Sequence, residues 1–200
     1  IKLSVAGALT LDTDAAIFSS AAPGSTGSAG GIHIAAGSLT VRNGGVVSTE
    51  TGGPGAGGSL DLAVKGDVLL SGPGPQIAAG SSGSGNAGSI AVSAANLTLQ
   101  DGASISTQAT TANGGNITLA VGDFLYLVNS KVTTSVLGAA GNGGNIAIDP
   151  ALLVLDHSSI IAQAVAGHGG NITIAAGNFI ASSDSIVSAS SQLGISGNVE

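Results

Sequence analysis

The sequence predicts an all-β chain wound as a right-handed single-stranded parallel β-helix, a β-solenoid of about seven coils with three short strands in each. Three observations carry the prediction. One unit recurs along residues 1–200, its apolar residues alternate with period two, and its bulky side chains are too few for a rounded core. Glycine supplies 34 residues while aromatics make 2%, with no Met or Trp, so the interior must be narrow and filled by Ile, Leu and Val.

The unit is clearest between Gly143 and Ile174, which opens on Gly-Gly-Asn-Ile-Ala-Ile and closes on Gly-Gly-Asn-Ile-Thr-Ile. Its first strand is anchored at Ile1, Ile32, Leu60, Ile90, Ile117, Ile146 and Ile172, at spacings of 26 to 31 residues, and Val199 begins an eighth coil. Each of the seven anchors has an apolar partner two residues later, Leu3 through Ile174, which is strand periodicity. The second strand carries Leu9, Leu39, Val68, Leu97, Leu125, Leu153 and Phe179, and the third, shorter one is marked by Ile17, Val47, Ile77, Ile105, Val132, Ile160 and Ile186. No helical period competes with this pattern. Such a coil cannot bury its own apolar face, so the coils must stack strand on strand. Parallel crossovers favour the right hand. Seven rungs at the sheet spacing make a rod on the order of 34 Å long.

The corners agree. Asp12, Asn43, Asp101, Asn129 and Asp156 follow the second strand, where Asx side chains tolerate a left-handed backbone; Asp67, Asn96, Asp123 and Asn178 precede it. Length differences collect after the third strand, in Gly- and Ser-rich returns such as 21–30, 52–58, 79–88 and 138–144.

Composition also excludes partners. No run reaches the roughly 18 to 20 apolar residues of a membrane-spanning helix, so no transmembrane segment is expected. With 4 basic against 11 acidic residues there is no basic footprint, so no nucleic acid is expected. Zero cysteine removes disulfides and thiolate metal sites. Ile1 already lies in a strand pattern with no leader segment before it, which reads as a piece of a longer polypeptide.

Candidate sites follow from positions that repeat. Asn116, Asn145, Asn171 and Asn198 occupy one position in successive coils, as Ser59 and Ser89 do earlier, and are expected to form a structural ladder. No catalytic set is expected: Asp101 and Asp156 lie two coils apart with Asn129 between them, about 10 Å by rung spacing, and Asp184 falls out of register with Asp156. His33, His157 and His168 lack partners at metal-ligand spacing and are expected to be solvated, leaving no metal and no cofactor. The Gly-Gly pairs lack the Lys-Ser/Thr of a phosphate loop. Outward on the second strand stand Thr10, Thr40, Leu69, Thr98, Tyr126, Val154 and Ile180, an uncharged row whose Leu69, Tyr126, Val154 and Ile180 are the candidate contact face.

Units such as Gly169-Gly-Asn-Ile-Thr-Ile174 and Leu152-Leu-Val-Leu-Asp-His-Ser-Ser-Ile-Ile-Ala-Gln-Ala164 resemble the large exoproteins of filamentous haemagglutinin type, two-partner secretion proteins whose cyanobacterial members are especially similar. The resemblance spans the chain and is strongest from about residue 87. It implies a right-handed parallel β-helix, export through an outer-membrane transporter partner, and a place outside the cell or on the outer surface of a Gram-negative-type bacterium as adhesin or matrix fibre. The expected function is a structural and adhesive filament touching glycans, cell surfaces or other copies of itself. The alternatives are a polysaccharide lyase or hydrolase on the same coil, and a fibre subunit stacking end to end.

Overall fold

The computed structural model describes residues 1–138 and 141–200, so part of the return at 138–144 lies outside the described residues. Among the described residues every element is a strand, every pairing between strands is parallel, and no helix is long and apolar enough to cross a membrane. The first coil holds β1 (Lys2–Leu11) and β2 (Ala16–Ala21), and the second β3 (Ile32–Arg42) and β4 (Val46–Thr51). The third holds β5 (Leu60–Val64), β6 (Asp67–Ser71) and β7 (Gln76–Ser81), and the fourth β8 (Ile90–Ala94), β9 (Asn96–Gln100) and β10 (Ser104–Ala109). The fifth holds β11 (Ile117–Val121), β12 (Phe124–Val128) and β13 (Lys131–Val136). The sixth holds β14 (Ile146–Ile148), β15 (Leu152–Asp156) and β16 (Ser159–Ala164), and the seventh β17 (Ile172–Ile174), β18 (Asn178–Ala181) and β19 (Ile186–Ser188).

These strands form three stacks, and the chain is a β-solenoid of about seven turns. In the first stack Ile32, Leu60, Ile90, Ile117, Ile146 and Ile172 pair in one register, closed by a bridge from Ile172 to Val199. In the second, Leu9, Leu39, Val68, Leu97, Leu125, Leu153 and Phe179 do the same. The third runs Ile17, Val47, Ile77, Ile105, Val132, Ile160 and then Val187. Side chains at these positions meet along the axis: Ile117, Leu125 and Val132 of the fifth coil are all 0% exposed.

Two expectations are corrected. The marker of the last third strand is Val187, not Ile186: Ser159 pairs with Ile186, which is 53% exposed, so period two turns Val187 inward. The first two coils have two strands rather than three, because β1 and β3 run through the first corner without a break. There Lys65 and Gly66 donate to the carbonyls of Ala36 and Gly37, so the ladder continues across the joint and merges the first two stacks into one twelve-stranded sheet. The extra residue of β1 is absorbed as a register shift between Val5 and Ala8. Gly37 lies against that bulge, where a Cβ would stand 2.7 Å from the Ala6 carbonyl oxygen.

The second corner is a column of left-handed residues: Thr13, Asn43, Gly72, Asp101, Asn129 and His157 have φ between 48° and 75°. Asn43, Asp101 and Asn129 fill it as expected. In the first and sixth coils the left-handed residue is the one after the Asp, Thr13 and His157.

A polar column inside the third stack is the least expected part of the core. Thr49, Thr107 and Thr134 are at most 1% exposed. Their hydroxyls donate to the carbonyls of Gly58 (2.5 Å), Gly115 (2.6 Å) and Gly144 (2.6 Å), tying the third strand to the return that closes its own coil. The Thr51 hydroxyl is equally buried and has no partner among the described residues. Replacing Thr107 with Val strands a buried carbonyl and should lower stability by about 1–3 kcal/mol. Thr51→Val removes an unbonded hydroxyl and should leave urea unfolding unchanged or shifted to higher denaturant; equal losses in the two variants would contradict the assignment.

Candidate functional site

The outward row of the second stack is continuous. Thr10, Thr40, Leu69, Thr98, Tyr126, Val154 and Ile180 pair one above another in strict register. Leu69, Tyr126 and Val154 are half-buried, because each is flanked by neighbours one rung away, while Ile180 on the last coil is exposed. The sequence reading missed a neighbouring outward row. Phe124 and Leu152 pair two residues before Tyr126 and Val154, and Phe124 is 39% exposed, so the apolar face of coils five and six is two rows wide. The signal lies in the alternation of Phe-Leu-Tyr-Leu-Val, which turns Phe124 outward with Tyr126.

The four asparagines of the first-stack row are joined coil to coil. Asn116 Oδ1 accepts from the Asn145 N–H at 2.9 Å, Asn145 Oδ1 from Asn171 at 2.8 Å, and Asn171 Oδ1 from Asn198 at 3.0 Å. The bond is amide oxygen to backbone, not amide to amide. Each of these asparagines also has its carbonyl taken by the Ile that opens the adjacent first strand. A parallel ladder three residues upstream escaped the sequence reading: Asn86 Oδ1 accepts from Asn113 (3.1 Å), Asn113 from Asn142 (2.8 Å), and Asn142 from the N–H of His168 (2.9 Å). The Asn-Gly-Gly-Asn word of residues 113–116 and 142–145 is therefore two ladders separated by two glycines. The spacing held the signal.

The histidines are solvated as expected, the His33 and His157 side chains being 40% and 59% exposed. His168 enters through its backbone, as above, while His33 and His157 also pair with carboxylates, in each case one of them on another coil. His33 Nδ1 lies 2.8 Å from Asp61 of the next coil. His157 sits between Asp156, at 2.5 Å from Nδ1, and Asp184 of the seventh coil, at 3.2 Å from Nε2. Asp156 and Asp184 are not neighbours in the ladder, since Leu155 pairs with Ala181, yet the left-handed corner at His157 brings its ring between them. The hydrogen bond His157 donates to Asp156 and then the charge of Asp184 raise the His157 pKa, and a hydrogen bond from Ser182 is the main cause lowering that of Asp184. At the other end of the solenoid, Asp12 accepts from Asn43 (2.8 Å) and Arg42 (2.7 Å), which hold its carboxyl below the usual carboxylate range. Among the described residues no three His, Cys, Asp or Glu side chains are grouped to hold a metal ion.

Comparison of the chain with family models, curated proteins and solved structures finds no match to any of them.

Two outcomes follow from this geometry. Asn145→Leu leaves the Asn171 N–H without its acceptor; the site is solvent-exposed, so the expected loss is about 0.5–1.5 kcal/mol, with any binding activity unchanged. Denaturant midpoints equal to the parent would contradict it. For His157, a pKa raised on folding contributes stability that is complete below about 6.5 and is lost as pH rises through the folded value. For Asp184 the lowered pKa works oppositely, its contribution being lost as pH falls through the folded value. The melting temperature should therefore fall as pH rises above about 6.5, and His157→Gln should flatten that limb; an unchanged slope in the variant would overturn the role given to His157.

Proposed function

We propose that the chain is a structural and adhesive filament, a β-helical rod whose outward rows make contact with cells, glycans or further copies of itself. The observation that carries this reading is the unbroken second-stack row from Thr10 to Ile180. A row fixed by backbone pairing to a common register presents a flat, rigid and uncharged surface, widened at Phe124 and Leu152. Rigid surfaces lose little conformational entropy on contact, and repeated weak contacts add through avidity.

The likeness of the Gly-Gly-Asn units to filamentous haemagglutinin-type exoproteins supports the same reading. With it go an extracellular or outer-surface location in a Gram-negative-type bacterium and export through an outer-membrane transporter partner. The acidic residues lend little to a polysaccharide-cleaving alternative. Asp156 and Asp184 are tied to one imidazole ring rather than facing each other across an open space, and Asp101 stands two coils from Asp156 with Asn129 between.

The chain immobilised on beads should retain bacterial cells, carbohydrate or soluble copies of itself. The outward pair Tyr126→Ser and Val154→Ser should release more than half of what is retained while the chain keeps the parent's far-UV circular dichroism and a cooperative melt. Retention of none of the three by the parent chain would overturn the proposal.

A further inference from the structure

The outer face of the third stack is interrupted at one rung. On β4 the outward side chains are Ser48 and Glu50, and on β10 Ser106 and Gln108, whereas β7 between them offers Ala78 and Gly80. The backbone of β7 is thus the floor of a notch about 240 Å³ in volume, and the flanking side chains are its walls, two rungs or about 9–10 Å apart. The fold does not demand the missing side chain. A Cβ on Gly80 would meet nothing closer than 3.8 Å, whereas one on Gly57, in the return of the preceding coil, would come within 2.5 Å of the Gly88 backbone nitrogen. Gly80 is therefore a feature of the surface rather than of the stacking.

The walls define what fits. One carboxylate, Glu50, has no side-chain partner among the described residues, and the other reaching groups are neutral amides and hydroxyls, including Gln76 at the rim. No Lys or Arg lines the notch, so a phosphate, sulfate or uronate would find no counter-charge and would be repelled by Glu50. The polar walls also offer little to a purely apolar ligand. A neutral polyhydroxylated ring satisfies every group: vicinal hydroxyls donate to the carboxylate, amides both donate and accept, and one ring face packs on the bare strand. The volume lies below the roughly 300 Å³ at which drug-sized pockets begin, which limits the occupant to about one ring.

We propose that the Glu50–Gly80–Gln108 notch binds a single neutral hexose unit of a glycan, with Glu50 accepting from two ring hydroxyls. The proposal rests on the adhesive reading above and gives that contact a place and a ligand class. A notch this shallow binds weakly, so the test must read weak binding directly. Methyl glycosides of glucose, galactose and mannose, and glucuronate, are titrated separately into the isotope-labelled 200-residue chain, with amide shifts followed by NMR. At least one neutral hexoside should move amides of β4, β7 and β10, and glucuronate should not. Glu50→Ala, an exposed truncation that leaves the core untouched, should weaken binding about tenfold or more. Gly80→Leu fills the notch and should abolish saturable binding, with the melting temperature confirming that it folds.

Binding undiminished in both variants, or tighter binding of glucuronate, would overturn the site. So would retention of cells on beads without any hexoside shifting these amides, an outcome that leaves the adhesive reading standing. Failure of both assays removes the two together.

Discussion

Each strand in this molecule finds its backbone partners only in the coils above and below, and that single requirement orders everything else. A parallel ladder leaves no residue free to slip, because a shift of one would turn every inward side chain outward. Once Ile90, Ile117 and Ile146 share a register, the residues before and after them are committed as well. Identical positions then lie about one rung spacing apart along the rod, and anything repeated in sequence becomes a column in space. The aliphatic columns, the buried threonines, both asparagine ladders and the left-handed corner are each a consequence of that translation.

The same requirement explains the glycines at the returns. Between the third and first stacks the chain turns back so tightly that neighbouring coils touch backbone to backbone. A Cβ on Gly115 would collide with the carbonyl of Gly88, and one on Gly144 with the carbonyl of Gly115. These residues have ordinary φ; what they lack room for is a side chain of any kind. The asparagines on either side of Gly114-Gly115 and Gly143-Gly144 then supply the hydrogen-bond acceptors that so small a turn cannot provide from its own backbone. Gly-Gly-Asn is therefore a solution to a packing problem.

The fold was legible because its signal is additive over coils. No single period-two pair, such as Ile32 with Ile34, is diagnostic, but seven of them at a near-constant interval are. What escaped reading lies where one coil departs from the others or where partners come from different coils. Val187 hid behind Ile186 because two adjacent β-branched residues leave the phase of a short strand undetermined. The fusion within β1 and β3 depends on how the joint at Ala36 and Gly37 pairs with Lys65 and Gly66, a matter of neighbours rather than of local sequence. The contact of His157 with Asp184 was hidden for a related reason. Counting residues from strand anchors locates Cα positions, while a left-handed corner redirects the side chain. Of the candidate face, alternation carries the row holding Tyr126 and Val154 and also the outward phase of Phe124, while pairing across coils adds that Phe124 and Leu152 stand side by side.

This division between scaffold and surface has a functional consequence. Inward positions, returns and corners are fixed by stacking, so a change at Ile105, Gly144 or Thr107 disturbs the coils on both sides. Outward positions touch only their counterparts one rung away and can vary coil by coil at small cost. A solenoid thereby separates the part that must repeat from the part that can differ: the second stack passes from Thr10 and Thr40 to Tyr126 and Val154, and the third stack drops its side chain at Gly80 alone among its paired rungs from Glu50 to Gln108. Binding specificity in such a rod is accordingly sought where the outward rows break their own pattern, since a residue kept small where the fold leaves room for more has no explanation in the stacking.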